Sequence, residues 1–265
     1  MDKPLVSIIV PTYNVENYIA ETIECVLSQT FTDWELVITD DCSTDKTVDI
    51  INSYAQNNER IHLHILPKNS GAATARNNSI EKARGRYIAF LDSDDWWYPS
   101  KLEKQISYMQ QTKCEFCFTA FEYADKNLNI TGVSHKPKKI TYSSMILGCN
   151  IGTPGVIYDT KRIGKMYMPN LRTSEDWALW IKITEKTGVA YSINEPLWKY
   201  RVLANTLSRN KLKLIKTNIL VYKQVLGLST FKSILLFVFG FAPKHIYKMV
   251  YNKIDSYIYL RKLNS

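Results

Sequence analysis

The chain has no Gly-x-Gly-x-x-Gly after its first apolar run and no Gly-x-x-x-x-Gly-Lys anywhere. Those two absences remove the dinucleotide-binding turn and the P-loop from the ways it could hold a nucleotide. It has no paired-cysteine framework either: five cysteines, an odd number, are scattered at 25, 42, 114, 117 and 149. No secretory signal precedes Pro4, so reduced thiols in the cytosol are expected. Cys114 and Cys117 have the spacing of half a zinc site, but no second ligand pair follows. The stretch 115–121 reads instead as a strand carrying structural cysteines. Long hydrophobic runs are missing too. Residues 234–242 form an apolar run of nine that is expected to stop at Pro243, short of the roughly 20 needed to span a hydrocarbon core.

Acid is nearly missing from one region. Residues 206–265 carry eleven Lys and Arg against Asp255 alone, leaving 23 basic and 24 acidic residues upstream. The net charge of +9 therefore belongs to the tail and says nothing about the rest.

What is present is an α/β alternation. With 265 residues the chain can hold one large α/β domain with an appendage. Apolar runs of strand length fall at 5–10, ended by Pro11, and at 34–39, 61–66 and 86–91. Between them, helical spacing appears at Ile19, Ile23 and Val26, with Asn14 as a cap, at Val48, Ile51 and Tyr54, and over 72–83. Four strands alternating with three helices imply right-handed crossovers and a mostly parallel, Rossmann-like sheet. A helix after Pro99, a strand over 115–123 and a hairpin through Val133 follow.

The polar residues cluster where such a sheet binds ligands, at the carboxyl ends of its strands. Tyr13-Asn14, Asp40-Asp41 and Asp92-Ser93-Asp94-Asp95 each follow a predicted strand. Clustered carboxylates suit a hard divalent cation, Mg²⁺ or Mn²⁺, which relieves their repulsion. The competing reading is an acidic turn that caps the next helix. A second acidic element, Thr173-Ser174-Glu175-Asp176, opens a helix dense in Trp, Leu and Ile, and acids there are also explained by capping and the helix dipole.

Taken together, Val10-Pro11-Thr12-Tyr13-Asn14, Glu16 with Tyr18, Leu27-Ser-Gln-Thr30, Asp40-Asp-Cys-Ser-Thr-Asp45, Asn69-Ser-Gly71 with Ala75-Arg-Asn77, and Asp92-Ser-Asp-Asp95 resemble the family 2 inverting glycosyltransferases of the GT-A fold over roughly the first 200 residues. The resemblance implies a nucleotide-sugar donor, usually a UDP-sugar, and Mn²⁺ or Mg²⁺ held by the Asp-x-Asp element through Asp94 helped by Asp92. It places Pro11, Tyr13, Asp41, Arg76, Asp92, Ser93 and Arg201 at the nucleotide-sugar. Asp176 becomes the catalytic base, with Glu175 as its neighbour or an acceptor ligand. Cys42 departs from the family, which more often has Gly or Asn there; a small residue is expected to fit.

The residues offer reasons for these roles and alternatives to them. Tyr13 gives an aromatic face for a pyrimidine, or packs in the core. Asp41 can accept the imide N–H of uracil, or cap a helix. Arg76 can reach the base or diphosphate, or pair with an acidic neighbour, and Arg201 can meet the diphosphate or form a surface pair. Trp96 and Trp97 stack on a sugar or simply pack. A sugar-nucleotide nucleotidyltransferase shares the sheet and the metal but is expected to carry a Gly/Arg/Lys-rich loop where this chain has Pro11-Thr-Tyr-Asn14. A non-catalytic sugar- or lipid-binding scaffold would lose the carboxylates that are present.

These observations divide the chain into a GT-A domain over 1–205, with a nucleotide half to about 98 and an acceptor half beyond, and a tail over 206–265. Leu212, Ile215, Ile219 and Leu226, then Ile246, Val250, Ile254 and Ile258, keep helical spacing among lysines. Basic amphipathic helices read as an anchor on an anionic membrane surface. No nucleic-acid motif accompanies the charge, and packing on the domain or into a homodimer are the other uses. By analogy with the family, the expected function is hexose transfer, glucose or galactose from a UDP-sugar, to a glycan or lipid-linked acceptor such as undecaprenyl-diphosphate GlcNAc or GalNAc. The product would be a β-linkage in O-antigen or capsule, made at the cytoplasmic face of a bacterial inner membrane.

Overall fold

A computed structural model describes residues 3–148, 151–203 and 211–263; Cys149, the segment Asn205–Arg209 and the expected boundary at 205/206 lie outside them. Four strands, β1 (Val6–Thr12), β2 (Trp34–Asp40), β3 (Ile61–Ile65) and β4 (Tyr87–Phe90), pair in parallel in the order β3-β2-β1-β4. Helices α1 (Ile19–Leu27), α2 (Thr47–Ala55) and α3 (Ala72–Lys82) make the crossovers. Every residue of β1, β2 and β4 is buried, as expected of strands covered on both faces, and each large apolar side chain there contributes roughly 1.5–3 kcal/mol.

Pro11 does not end the first strand. The ladder to β2 continues through Pro11↔Thr39 and Thr12↔Asp40, whereas pairing with β4 stops at Ile9↔Phe90. Ile9 O accepts from Leu91 N on the β4 side, and Pro11, two residues on, faces the same way where no partner strand remains. Its missing N–H is therefore not needed. Nor does Asn14 cap α1, whose N-cap is Tyr18 with no side-chain bond. Asn14 sits at φ 50, and its Oδ1 accepts from Thr44 N. Asn14 N, Val15 N and Glu16 N bond to Ser43, Thr47 and Asp45, and Lys46 N to Glu16. These polar residues stitch the loop after β1 to the loop after β2.

The sheet extends as a mixed, ten-stranded one in the order β3-β2-β1-β4-β9-β6-β10-β5, with β7 on β6 and β8 on β10. Its second half comprises β5 (Trp96–Trp97), α4 (Lys101–Thr112), β6 (Phe116–Ala124), β7 (Ile130–Ser134), β8 (Lys139–Thr141), α5 (Tyr142–Ile146), β9 (Ile157–Asp159), α6 (Thr160–Ile163), α7 (Glu175–Thr187) and β10 (Val189–Arg201). The 125–129 hairpin turn is as expected, with Asp125 accepting from Asn127 and Asn129.

The tail is helical and packs back on the domain. In α8 (Lys211–Leu226), Tyr222 donates to Ile146 O and its ring lies 5.5 Å from Trp177. The run Thr230–Leu263 is one continuous helix, made of α9 (Thr230–Leu236), a π-helical turn over Phe237–Phe241 and α10 (Ala242–Leu263). Pro243 thus does not stop the apolar run. Ala242 N–H reaches back to Phe237 O, and the widened turn relieves the clash of a proline ring with the preceding turn. One face of α10 is bonded to the hairpin: Ser256 to Val133, Asp255 to His135, Tyr259 to Glu122 and Asn252 to Tyr123.

Candidate active site

The strand ends deliver their residues to one edge. Tyr13 is 47% exposed, so it is not core, and its ring is open to a ligand. Asp41 is buried and does not cap α2. Its Oδ1 and Oδ2 accept from Ser70 N and Gly71 N, both at 2.7 Å, which fixes the entry to α3 at Gly71, where φ is 91°. Each oxygen keeps a second lone pair for another donor. The adjacent Asp40 is spent on structure, accepting from Ser43 N, Ser43 Oγ and Thr12 Oγ1. Pro11 and Ser93 are buried at the same edge.

Beyond β4 the chain turns sharply through Asp92-Ser93-Asp94-Asp95. Asp95 N bonds Asp92 O, and Thr22 Oγ1 donates to the carbonyls of Ser93 and Asp95. Burial, and then the charge of Asp92, push the Asp94 carboxyl up to about 6. Asp95 is raised further by complete burial and by Asp94 and Asp92. Its Oδ1 takes Arg201 N at 2.9 Å, and its Oδ2 is buried without a partner. Burial is the first cause of both shifts, with the neighbouring carboxylates adding to it.

Arg76, from α3, is buried between the two acidic elements. Its Nη2 bonds Asp92 Oδ1 at 2.6 Å and its Nη1 bonds Glu175 Oε1 at 3.0 Å. Burial opposes its charge, but Asp92 and Glu175 outweigh that and hold it protonated. In this structure Arg76 ties the strand-end cluster to α7. Arg201 is 1% exposed, and its guanidinium donates to Asp94 O, Lys126 O and Glu21 Oε2, so it clamps the turn.

Helix α7 begins at Glu175 after Ser174, which sits at φ 60 and makes no side-chain cap bond. Both acids nonetheless lie in the first turn of the helix, where the helix dipole favours them. Glu175 is raised by burial and by Asp176, against the pull of Arg76. Asp176 is less buried than Glu175. Its Oδ2 accepts from Thr153 Oγ1 at 3.0 Å and its Oδ1 from Trp177 N at 2.7 Å. Sequence reasoning passed over Thr153. Trp97 is wholly buried and Trp96 partly so; the Trp97 indole donates to Pro154 O at 2.9 Å.

Several motif residues prove to be ties. Asn77 makes a two-way bond with the backbone of Met168, and Gln29 bonds Tyr98 O and Leu102 N. Among the described residues no three His, Cys, Asp or Glu side chains are arranged to hold a metal by themselves. Asp92 and Asp94 nonetheless offer hard oxygen donors with excess negative charge, which suits a divalent ion whose other ligands come from elsewhere. A cavity of about 220 Å³ lined by Arg86, Lys113, Asp159 and Arg162 contains none of these residues.

A nucleotide-binding parallel sheet with a carboxylate cluster at its strand end, faced by a second acidic element, defines the GT-A architecture. The fold matches that of the crystal structure of S. aureus TarS 1-349 in complex with UDP, with a TM-score of 0.68 at 22% identity over 88% of this chain and 69% of that one. It also resembles the mannosyltransferase PcManGT of Pyrobaculum calidifontis, in complex with GDP-Man and Mn²⁺, with a TM-score of 0.62 at 16% identity over 86% and 66%. The family model described as "Glycosyl transferase family 2" matches residues 7–165, and the chain belongs to that family. It is 43% identical to the putative teichuronic acid biosynthesis glycosyltransferase TuaG of Bacillus subtilis (strain 168), over 89% of this chain and 94% of that one. It is 42% identical to the UDP-Glc:alpha-D-GlcNAc-diphosphoundecaprenol beta-1,3-glucosyltransferase WfaP of Escherichia coli, over 79% and 82%.

Proposed function

We propose that this glycosyltransferase moves a hexose, glucose first and galactose second, from a UDP-sugar to a lipid-linked acceptor such as undecaprenyl-diphosphate GlcNAc or GalNAc, with inversion to a β-linkage, in cell-surface polysaccharide synthesis. The observation that carries this reading is the Arg76 guanidinium held by Asp92 on one side and Glu175 on the other, which brings the donor-side carboxylates and the start of α7 to one place. The names of TuaG and WfaP support the polymer class and the donor. Tyr13 stacks on the uracil and Asp41 accepts its imide N–H. A divalent ion at Asp94 and Asp92, Mn²⁺ or Mg²⁺, would supply charge neutralisation to the departing diphosphate. Asp176 takes the proton of the acceptor hydroxyl as that oxygen attacks the anomeric carbon. Glu175, tied to Arg76, is not free to do so.

The tail seats the enzyme on the cytoplasmic leaflet. Thr230–Leu263 is, by length and composition, long and apolar enough to cross a membrane. Its bonds along β7 argue instead for a helix lying in the interface. Its outer face exposes Phe231, Phe239, Ile246, Tyr247 and Tyr257 at 61–75%, beside lysines that suit anionic lipid.

The test is transfer from a panel of UDP-sugars with Mn²⁺ to a synthetic lipid-diphosphate GlcNAc or GalNAc. Asp176→Asn is expected to abolish transfer while leaving UDP affinity by calorimetry unchanged; wild-type turnover in that variant removes Asp176 as the base. Removing the tail would uncover Trp177, which packs against Tyr222 and Phe241, so the anchor is tested by polar substitution of Phe231, Phe239, Ile246 and Tyr247. Binding to phosphatidylglycerol vesicles should be lost at an unchanged Tm, and retained binding counts against the anchor.

A further inference from the structure

Resting on Asp176 as the base, we infer that Thr153 is the residue that positions it, and that the Gly152-Thr-Pro-Gly155 turn is built to hold that hydroxyl in place. The geometry is specific. Thr153 is 6% exposed, and its hydroxyl donates to Asp176 Oδ2 at 3.0 Å, from a residue 23 positions away in sequence. With Oδ1 taken by the Trp177 N–H at 2.7 Å, the carboxylate is held by one donor on each oxygen and cannot rotate freely. Thr153 therefore orients the base toward the place where the acceptor hydroxyl must come.

The turn is held from beneath at three points. Trp97 Nε1 donates to Pro154 O at 2.9 Å. Gln105 Nε2 donates to Gly155 O at 2.9 Å. The Trp198 ring presses on the two glycines so closely that a Cβ on Gly152 would lie 2.4 Å from its ring carbon and one on Gly155 2.7 Å from its Nε1. Glycine is required there for close approach, not for its φ. Trp97 and Trp198 are paired across β5 and β10, so the tryptophans are the floor on which the turn rests. This also gives Trp97 a role that neither sugar stacking nor simple packing describes.

The variants Thr153→Val and Thr153→Ser separate position from packing. Val keeps the shape and loses the donor; Ser keeps the donor and loses a methyl group. With UDP-glucose, Mn²⁺ and a lipid-diphosphate GlcNAc, Thr153→Val is expected to lower kcat about tenfold, the scale of a lost hydrogen bond to a charged group. The KM for UDP-glucose and calorimetric UDP affinity should not move. Thr153→Ser should restore kcat. Trp97→Phe removes the N–H to Pro154 O together with part of a buried ring, so Thr153→Ala, which differs from Thr153→Ser by the hydroxyl alone, decides the matter if Thr153→Val does not fold. Wild-type kcat in Thr153→Val, or equal losses in Val and Ser, overturn the inference. Full activity in Asp176→Asn would instead remove the base reading on which it rests, so the two failures are distinguishable.

Discussion

The residues proposed for the donor side come from loops that follow β1, β2 and β4 directly, so Tyr13, Asp41 and Asp92 are placed by the register of one parallel sheet. The proposed acceptor side is assembled otherwise: Glu175 and Asp176 start a helix whose entry residue, Ser174, has φ 60, and their partners Arg76 and Thr153 are 99 and 23 positions away. The first side inherits its geometry from backbone hydrogen bonding. The second depends on a few buried side-chain bonds between remote segments, and is the easier of the two to disturb.

The largest test of that difference compares two buried arginines. Arg76 joins the sides, with 10% of its side chain exposed against 26% for Asp92 and 12% for Glu175. Arg76→Met leaves two carboxylates without their cation, and urea unfolding should show a loss of about 3–5 kcal/mol, with transfer abolished. Arg201 clamps the turn after β4 alone, and the carboxylate its guanidinium bonds, Glu21, is 54% exposed and rehydrates when freed. Arg201→Met should cost less, about 2 kcal/mol from carbonyls left unpaired. Equal losses would mean that the two sides are not held differently.

A smaller effect reads the donor side through pH. Asp94 titrates at about 6 rather than 3.8 because of burial and then Asp92. A proton is bound more tightly in the folded than in the unfolded chain, so this group's stabilising contribution is present below about pH 4 and is lost as pH rises through about 6. A divalent ion held as proposed at Asp94 and Asp92 would compete for the same oxygens. Mn²⁺ affinity should fall about tenfold between pH 7 and pH 5, measured by calorimetry, and Asp94→Asn should flatten the dependence. A pH-independent Mn²⁺ affinity would take Asp94 out of the ion's coordination.

How much of this was legible follows the same division. Four parallel strands and an acidic end to the last could be read because buried strands are continuous apolar runs and strand ends are where polar residues collect. Pro11 was misread as a stop because nothing local says which strand its N–H would have faced. Pro243 was misread because a π-helical turn has no sequence signature. Asn14, Glu16, Gln29 and Asn77 were visible as motif members, yet their work is bonding one loop to another. Thr153 left no trace except two glycines and a proline around it, since its role exists only where two distant segments meet.

The smallest expected effect concerns a residue whose identity looked incidental. The family resemblance implies Gly or Asn at this position, and Cys42 is expected to be tolerated for its size, but it sits at φ 67, in the left-handed region that costs a side-chain-bearing residue about 1–2 kcal/mol. Backbone conformation, not volume, is what Gly or Asn there would answer to. Cys42→Asn should raise stability by about 1 kcal/mol, because Asn tolerates this region better. Cys42→Gly should gain less, since glycine also widens the unfolded ensemble. Urea midpoints of the two variants separate these accounts: a size-based tolerance predicts no gain from Asn, which is larger than Cys, and at least as much from Gly.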